Sequence, residues 1–269
     1  ARGEVAAVWG GDIPDRPGRD VDAIFSAAAD GSLAALVIGA VDPADVADPA
    51  TAAQALARAG FIVSLEIRRS AVTERADVVL PVAPTAEKAG RYVTWEGRRR
   101  PFEKTLESSA LSDAAVLDAL AEDLDVTLGL RTVAAARDEL ARLGSWDTRP
   151  AAPSVAGTAP AAPAAGTAIL ATWAELLDEG RAQMGDENLA GTAKPARAVL
   201  SAATAARAGV AAGGSIVVST DVGTIDVPVQ IADVADGVVW LPTNARGSAV
   251  RATLGATSGA TVRLTEAVR

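Results

Sequence analysis

The sequence predicts a mixed α/β chain, in which a partial doubly wound parallel sheet with helices is followed by a small C-terminal β-barrel. Three observations carry this. Up to residue 143, short apolar runs alternate with helical repeats; between 147 and 168 the chain is dominated by Pro, Ala and Gly; beyond 213 apolar residues recur at every second position. Alternating helix and strand marks a parallel sheet. A Pro/Ala tract cannot bury enough apolar surface to offset its ordering entropy and reads as an exposed linker. Period-two alternation is that of half-buried strands.

Taken in order, Val21, Ile24, Phe25 and Ala28 recur at helical spacing between Asp20 and Asp30, and Gly31 sits where a helix would stop. Leu33 to Ala40 is a near-continuous apolar run, as expected of a parallel strand buried on both faces. Asp48 is placed to cap a helix running through Leu56 to Gly60, and Phe61 to Leu65 is the next buried strand. Ala76 to Pro81 supplies a third. Residues 111–143 read as one or two helices packing back on the sheet, with Val116, Leu117, Leu120 and Leu124 on one face.

The expected domains are 1–146, a linker over 147–168, and 169–269. In the last, Ile169 to Gln183 has the spacing of an amphipathic helix through Leu170, Trp173, Leu176 and Leu177, and Ala196 to Ala208 reads as another. Strands follow: Ser215 to Thr220, a turn at Asp221 to Thr224, Ile225 to Val229, then Val238 to Leu241 and Ala260 to Leu264.

Composition excludes several function classes. The net charge of −9 repels phosphate backbones and argues against nucleic acid as a partner. No uninterrupted apolar stretch is long enough for direct membrane insertion. With no Cys and no His, the chain lacks iron–sulfur ligands, thiolate nucleophiles, Ser-His-Asp triads and almost every transition-metal site. Neither GxGxxG nor GxxxxGK[ST] occurs around Gly10-Gly11 or elsewhere. The acidic positions Asp42, Asp45, Asp48, Asp186 and Glu187 lack the spacing of a calcium loop and are read as caps and solvated groups. No catalytic residue and no metal ligand is therefore predicted.

Unusual side chains concentrate in one stretch, RADVVLPVAPTAEKAGRYVTWEGRRRPF, from Arg75 to Phe102. An apolar strand ends at Pro81, and the polar segment after it holds the only tyrosine together with Arg91, Trp95, Glu96, Arg98, Arg99 and Arg100. Segments beyond the carboxyl ends of parallel strands carry specific contacts in α/β proteins. Arg91, Tyr92, Trp95, Arg98, Arg99 and Arg100 are accordingly interface candidates, the alternative being a solvated turn with Tyr92 and Trp95 over a core edge.

That stretch resembles the molybdopterin oxidoreductase family, in which an ADVVLP strand (Ala76 to Pro81) is followed by a Glu, a Gly, an aromatic and an N-x-E-[GR]-R run. These match Glu87, Gly90, Tyr92 and Thr94 to Arg98, with Thr94 in place of the usual Asn. The form Ala86 to Gly90 with Trp95 to Phe102, the segments Gly18 to Asp20 and Leu36 to Pro43, and Val239 to Asn244 with Gly247 to Val250 are similar to the branch formed by large iron–sulfur subunits of bacterial NADH-quinone oxidoreductase. The resemblance implies a double-psi-like barrel. It implies a structural role in the peripheral arm of respiratory complex I, on the cytoplasmic side of the cell membrane, with other arm subunits as partners. It also implies that Glu96, Arg98, Thr243 and Asn244 line a vestigial pterin site, a polar turn with glycine at a tight bend explaining Thr243 and Asn244 equally well, that no cofactor is bound here, and that iron–sulfur clusters belong to a missing N-terminal part. The alternatives are a fragment of a catalytic enzyme of formate dehydrogenase or nitrate reductase type, and a free-standing protein-binding adaptor.

Overall fold

A computed structural model describes residues 2–11, 13–144 and 163–267. The chain divides into two compact units: residues up to 43 with 53–154, and 44–52 with 155–269. Most of the expected linker, residues 147–162, lies outside the described residues.

The first unit opens with helices α1 (Arg2–Trp9) and α2 (Val21–Asp30). The Asp20 carboxylate accepts the Ala23 amide to start α2, and Gly31, at φ 85, ends it. Strands β1 (Ala35–Gly39), β2 (Phe61–Glu66) and β3 (Val78–Pro81) form a parallel sheet in that order. Helix α3 (Pro49–Arg58) makes the crossover from β1 to β2. Asp48 caps it as expected, its carboxylate accepting from the amides of Ala50 and Thr51.

Burial of the sheet differs from the expectation. Leu36, Ile38, Ile62 and Ser64 are buried, but Val37, Phe61 and Val78 on the opposite side are exposed; on the edge strand β3 Val79, which shares the side of Ser64, is exposed as well. A strand buried on both faces needs helices on both, and the β2–β3 connection contains none.

Beyond the sheet, β4 (Gly90–Val93) and β5 (Arg99–Phe102) form a separate antiparallel hairpin, followed by α4 (Asp113–Asp123) and α5 (Val133–Leu143). Val116 of α4 packs with Leu65 and Val82. The expected leucine face is not the buried one: Leu117, Leu120 and Leu124 are exposed, while Ala115, Val116 and Asp118 are buried. Asp118 is retained inside because its carboxylate accepts the Leu130 amide at 2.8 Å and lies 3.6 Å from the Arg131 guanidinium.

The second unit is a closed barrel of six strands: β6 (Thr167–Trp173), β7 (Ala198–Leu200), β8 (Ser215–Ser219), β9 (Thr224–Ile231), β10 (Val238–Pro242) and β13 (Thr261–Glu266). The short pair β11 (Asn244–Ala245) and β12 (Ser248–Ala249) and helices α6 (Glu187–Ala190), α7 (Ala202–Arg207) and α8 (Val250–Leu254) lie in the connections.

Two sequence expectations fail here. Ile169 to Gln183 is not a helix but β6 followed by a loop, and Ala196 to Ala208 is β7 and α7, divided at Ser201, whose hydroxyl accepts the Thr204 amide as N-cap. Both segments are apolar enough to satisfy helical spacing, yet closing the barrel requires strands there, and that tertiary demand prevails over local pattern.

The pairings are two-fold symmetric. Exchanging β6 with β9, β7 with β10 and β8 with β13 maps the parallel pair β10–β6 onto β7–β9 and leaves the remaining pairs antiparallel. Helix α7 then corresponds to α8, each preceding the third strand of its half. This is a double-psi barrel. Alternate residues point inward, and Leu170, Leu200, Ile216, Val218, Val239, Leu241 and Val262 are essentially free of solvent.

Candidate functional site

The arginine-rich stretch is the β4–β5 hairpin. Its register pairs Gly90 with Phe102, Arg91 with Pro101, Tyr92 with Arg100 and Val93 with Arg99. Since successive residues of a strand alternate faces, Tyr92, Arg100 and Phe102 share one side of the ribbon and Arg91, Val93 and Arg99 the other. Tyr92 stacks on Phe102 with ring centroids 4.9 Å apart. The Phe102 ring lies over Gly90, where a Cβ would come within 2.5 Å of Cζ, so the ring occupies the space a side chain would need.

The turn is built by Thr94 and Gly97. The Thr94 amide donates to the Arg98 carbonyl at 2.9 Å, the Gly97 amide to the Thr94 carbonyl at 2.8 Å, and the Thr94 hydroxyl to Glu96 Oε2 at 2.8 Å. Gly97 adopts φ +82, a conformation that L side chains avoid. Glu96 is thus tied to the turn. Trp95, beside it, is 94% exposed, and all four arginines of the hairpin are exposed. Among the described residues no ion pair involves Arg91, Arg98, Arg99 or Arg100.

The motif residues before the hairpin hold its base. Lys88 bonds Asp113 in the first turn of α4 at 2.7 Å. The Ala86 carbonyl accepts both the Thr105 and Leu106 amides. Partial burial pushes the Asp113 carboxyl up, but hydrogen bonds from Lys88 and from the helix start, with the Lys88 charge, outweigh it, so its pKa falls below the ordinary value.

Thr243 and Asn244 lie in the second unit, where β10 passes into the β11–β12 pair. The Thr243 amide and hydroxyl both donate to the Trp173 carbonyl, at 2.8 and 2.9 Å, and the Asn244 carbonyl accepts the Glu179 amide at 2.8 Å. Ser248 is fully buried and donates to the Pro242 carbonyl at 2.9 Å. A cleft of about 330 Å³ adjoins this loop, lined by Asp178, Glu179, Asp186 and Glu187 against Lys194 and Arg246. A pterin dinucleotide carries a pyrophosphate, which requires free donors and positive potential. Here the Thr243 amide and hydroxyl and the Ser248 hydroxyl are spent internally, and the cleft carries more carboxylates than cations. The residues do not fit the group.

Sequence reasoning missed a cluster on the outer wall of the barrel. Trp173 and Trp240 lie 6.3 Å apart, the Arg197 guanidinium sits 5.9 Å above the Trp173 ring, and Glu175 is 3.7 Å from Arg197. The signal was present in Trp173 and Trp240, which face outward on neighbouring strands two register positions apart, but reading residues 169–183 as a helix concealed it. In the acidic group, Asp186 caps α6 through the Leu189 amide.

A double-psi barrel joined in sequence to a parallel α/β unit carrying an ADVVLP strand and an AEKAG–WEGR hairpin defines a class. The Molybdopterin oxidoreductase family matches residues 2–123, and the Molydopterin dinucleotide binding domain matches residues 172–268. Between them these two matches take in most of the chain, which is similar to the molybdopterin oxidoreductase family. The chain is 53% identical over 98% of its length to the G subunit of NADH-quinone oxidoreductase from Mycobacterium bovis, covering 34% of that protein. It is 49% identical over 98% of its length to the corresponding G subunit from Streptomyces coelicolor, covering 32%. The chain therefore spans about a third of the length of these curated relatives. A nitrate reductase of Symbiobacterium thermophilum is 37% identical over 39% of this chain and 14% of its own. Among solved structures, acetylene hydratase from Pelobacter acetylenicus shares the fold over 90% of this chain and 42% of its own, with a TM-score of 0.54 at 15% identity.

Proposed function

We propose that this chain is a structural portion of a G-type polypeptide of NADH-quinone oxidoreductase. It stiffens the peripheral arm through which electrons pass from NADH to quinone and carries no redox group itself. The observation behind this reading is the 53% identity to such a polypeptide, sustained over 98% of the chain. Iron–sulfur clusters would belong to the part of the polypeptide that the chain does not span. Its place is then the cytoplasmic side of the membrane, held there by neighbouring subunits; among the described residues no helix is long and apolar enough to cross a bilayer. The domain assignment follows the same reading, with an α/β domain over 1–146, a linker over 147–168 and a barrel over 169–269.

In this role the β4–β5 hairpin is a contact element. Four arginines that form no ion pair among the described residues and a nearly fully exposed Trp95, in a chain of net charge −9, suit an acidic surface on a neighbouring arm subunit. A catalytic molybdopterin enzyme is the second reading, favoured by the local likeness to a nitrate reductase and opposed by the acidic cleft beside Thr243 and Asn244. Affinity purification of the full-length polypeptide from its native cells tests both. The expected preparation contains the other arm subunits and no stoichiometric molybdenum. A preparation without those subunits, or with about one equivalent of molybdenum and pterin, would end the scaffold reading. The Arg98→Ala variant tests the hairpin, and its expected effect is reduced recovery of partner subunits.

A further inference from the structure

The uncovered face of the parallel sheet is the feature that neither the family likeness nor the scaffold role explains. The register aligns Val37 with Val63 and Val63 with Val78, so one valine from each strand forms a row across the sheet. Phe61 lies beside Ala35 on the same face, one row nearer the strands' amino ends. Val37 is 66% exposed, Phe61 47% and Val78 39%. No charged or polar side chain from β1, β2 or β3 interrupts that row. On the same face the Leu65 end of β2 is covered, packed with Val82 and with Val116 of α4. Val63 is half-buried against that cluster, while Val37, Phe61 and Val78 around it remain exposed.

Parallel sheets owe their covered faces to crossover helices. Here α3 is the one crossover helix between these strands, and it can serve one face only. The β2–β3 connection, residues 67–77, contributes no helix. Three strands about 4.8 Å apart present a strip roughly 10 Å wide, the diameter of one α-helix. A wholly apolar strip of β-branched and aromatic side chains has the character of a domain core cut open, which is typical of permanent and not transient contacts.

We infer that one amphipathic helix seats on Val37, Val63, Val78 and Phe61, and that it is supplied by the same polypeptide, from the two thirds of the relatives' length that this chain does not span. The inference rests on reading the chain as part of a longer polypeptide. A helix in cis arrives at high effective concentration and needs no separate association step, which suits an apolar face that would otherwise promote aggregation.

The test uses the full-length polypeptide in its native cells, with a benzophenone amino acid at Phe61 or, separately, at Val37. Both positions are exposed in the 269-residue chain, and Phe61 already carries an aromatic ring. Gln54, exposed on α3, is the control position. After irradiation and tag purification, the expected product runs at the mass of a single polypeptide. Its cross-linked peptide maps outside these 269 residues to an apolar, helix-patterned segment, with no such product from Gln54. Cross-links to another subunit, to a second copy, or none above the Gln54 level would overturn the inference. Co-purifying arm subunits are scored in the same sample. Their absence beside an internal cross-link would defeat the proposed function and leave this inference standing, whereas their presence without the cross-link would do the reverse.

Discussion

The barrel and the parallel sheet solve the same problem to different extents. In the barrel every strand has two neighbours, alternate side chains meet inside, and Leu170, Leu200, Leu241 and Val239 are wholly excluded from solvent. In the sheet the outer strands β1 and β3 each have one neighbour, and Val37 is left 66% exposed. Closure removes edges and supplies its own core. An open sheet depends on whatever covers it. One unit supplies its own cover, and the other leaves part of one face open.

If that contrast is right, the largest single loss lies inside the barrel. Leu241→Ala in the 269-residue chain should cost about 3 kcal/mol, from lost burial and the cavity left behind. Urea unfolding followed by tryptophan fluorescence, with Trp240 adjacent in the strand, reads the effect. A cost below about 1 kcal/mol would mean that the barrel relaxes as readily as the sheet, and the comparison would fail.

The next effect tests the order of the first unit away from its open face. Asp118 is 2% exposed and accepts the Leu130 amide, so Asp118→Ala leaves a buried N–H without its partner. The expected cost is about 2 kcal/mol, read from the unfolding midpoint. Asp118→Asn retains an acceptor and should recover part of it. Equal losses for the two variants would show that the Arg131 ion pair, and not the amide bond, fixes the α4–α5 connection.

Much of this architecture could be read from residue order alone. Asp20 and Gly31 bracket α2, Asp48 starts α3, and the turn at Asp221 to Gly223 joins β8 to β9, because caps and turns are local chemistry. What local pattern could not reveal was which apolar segments close a barrel. Ile169, Leu170 and Trp173 satisfy helical spacing as well as they satisfy a strand, and only the pairing of β6 with β10 and β13 decides between them. The same limit applies to Val37, since an apolar run announces burial but cannot say whether the covering element lies within the chain. At the candidate site, the hairpin residues were legible from their concentration of charge and aromatics. The division of its arginines between two faces required the register. So did the internal use of Thr243, whose donors end on the Trp173 carbonyl.

A smaller effect concerns the base of the hairpin and depends on pH. The Asp113 carboxyl has a folded pKa below its ordinary 3.8, so the Lys88–Asp113 contact stabilises the fold fully above that value. The contribution is lost as pH falls through the folded pKa, where the carboxylate becomes protonated. Both side chains are partly solvated, so the contribution is at most about 1 kcal/mol. Lys88→Met should lower the urea midpoint near about pH 6, and the variant and parent should converge near about pH 2. A difference that persists in acid would assign the effect to the packing of the Lys88 methylenes.

The smallest expected change is the most discriminating. Val37→Ser on the bare face of β1 should alter the stability of the 269-residue chain by no more than about 0.5 kcal/mol, because a side chain 66% exposed loses little on becoming polar. Leu36→Ser, one residue earlier and 5% exposed, should cost several times more, since it places a hydroxyl in the covered face. Adjacent positions on one strand would then differ only in which side of the sheet they occupy. Comparable losses at the two positions would mean that the face carrying Val37 is already covered within this chain, and the open half of the comparison would close.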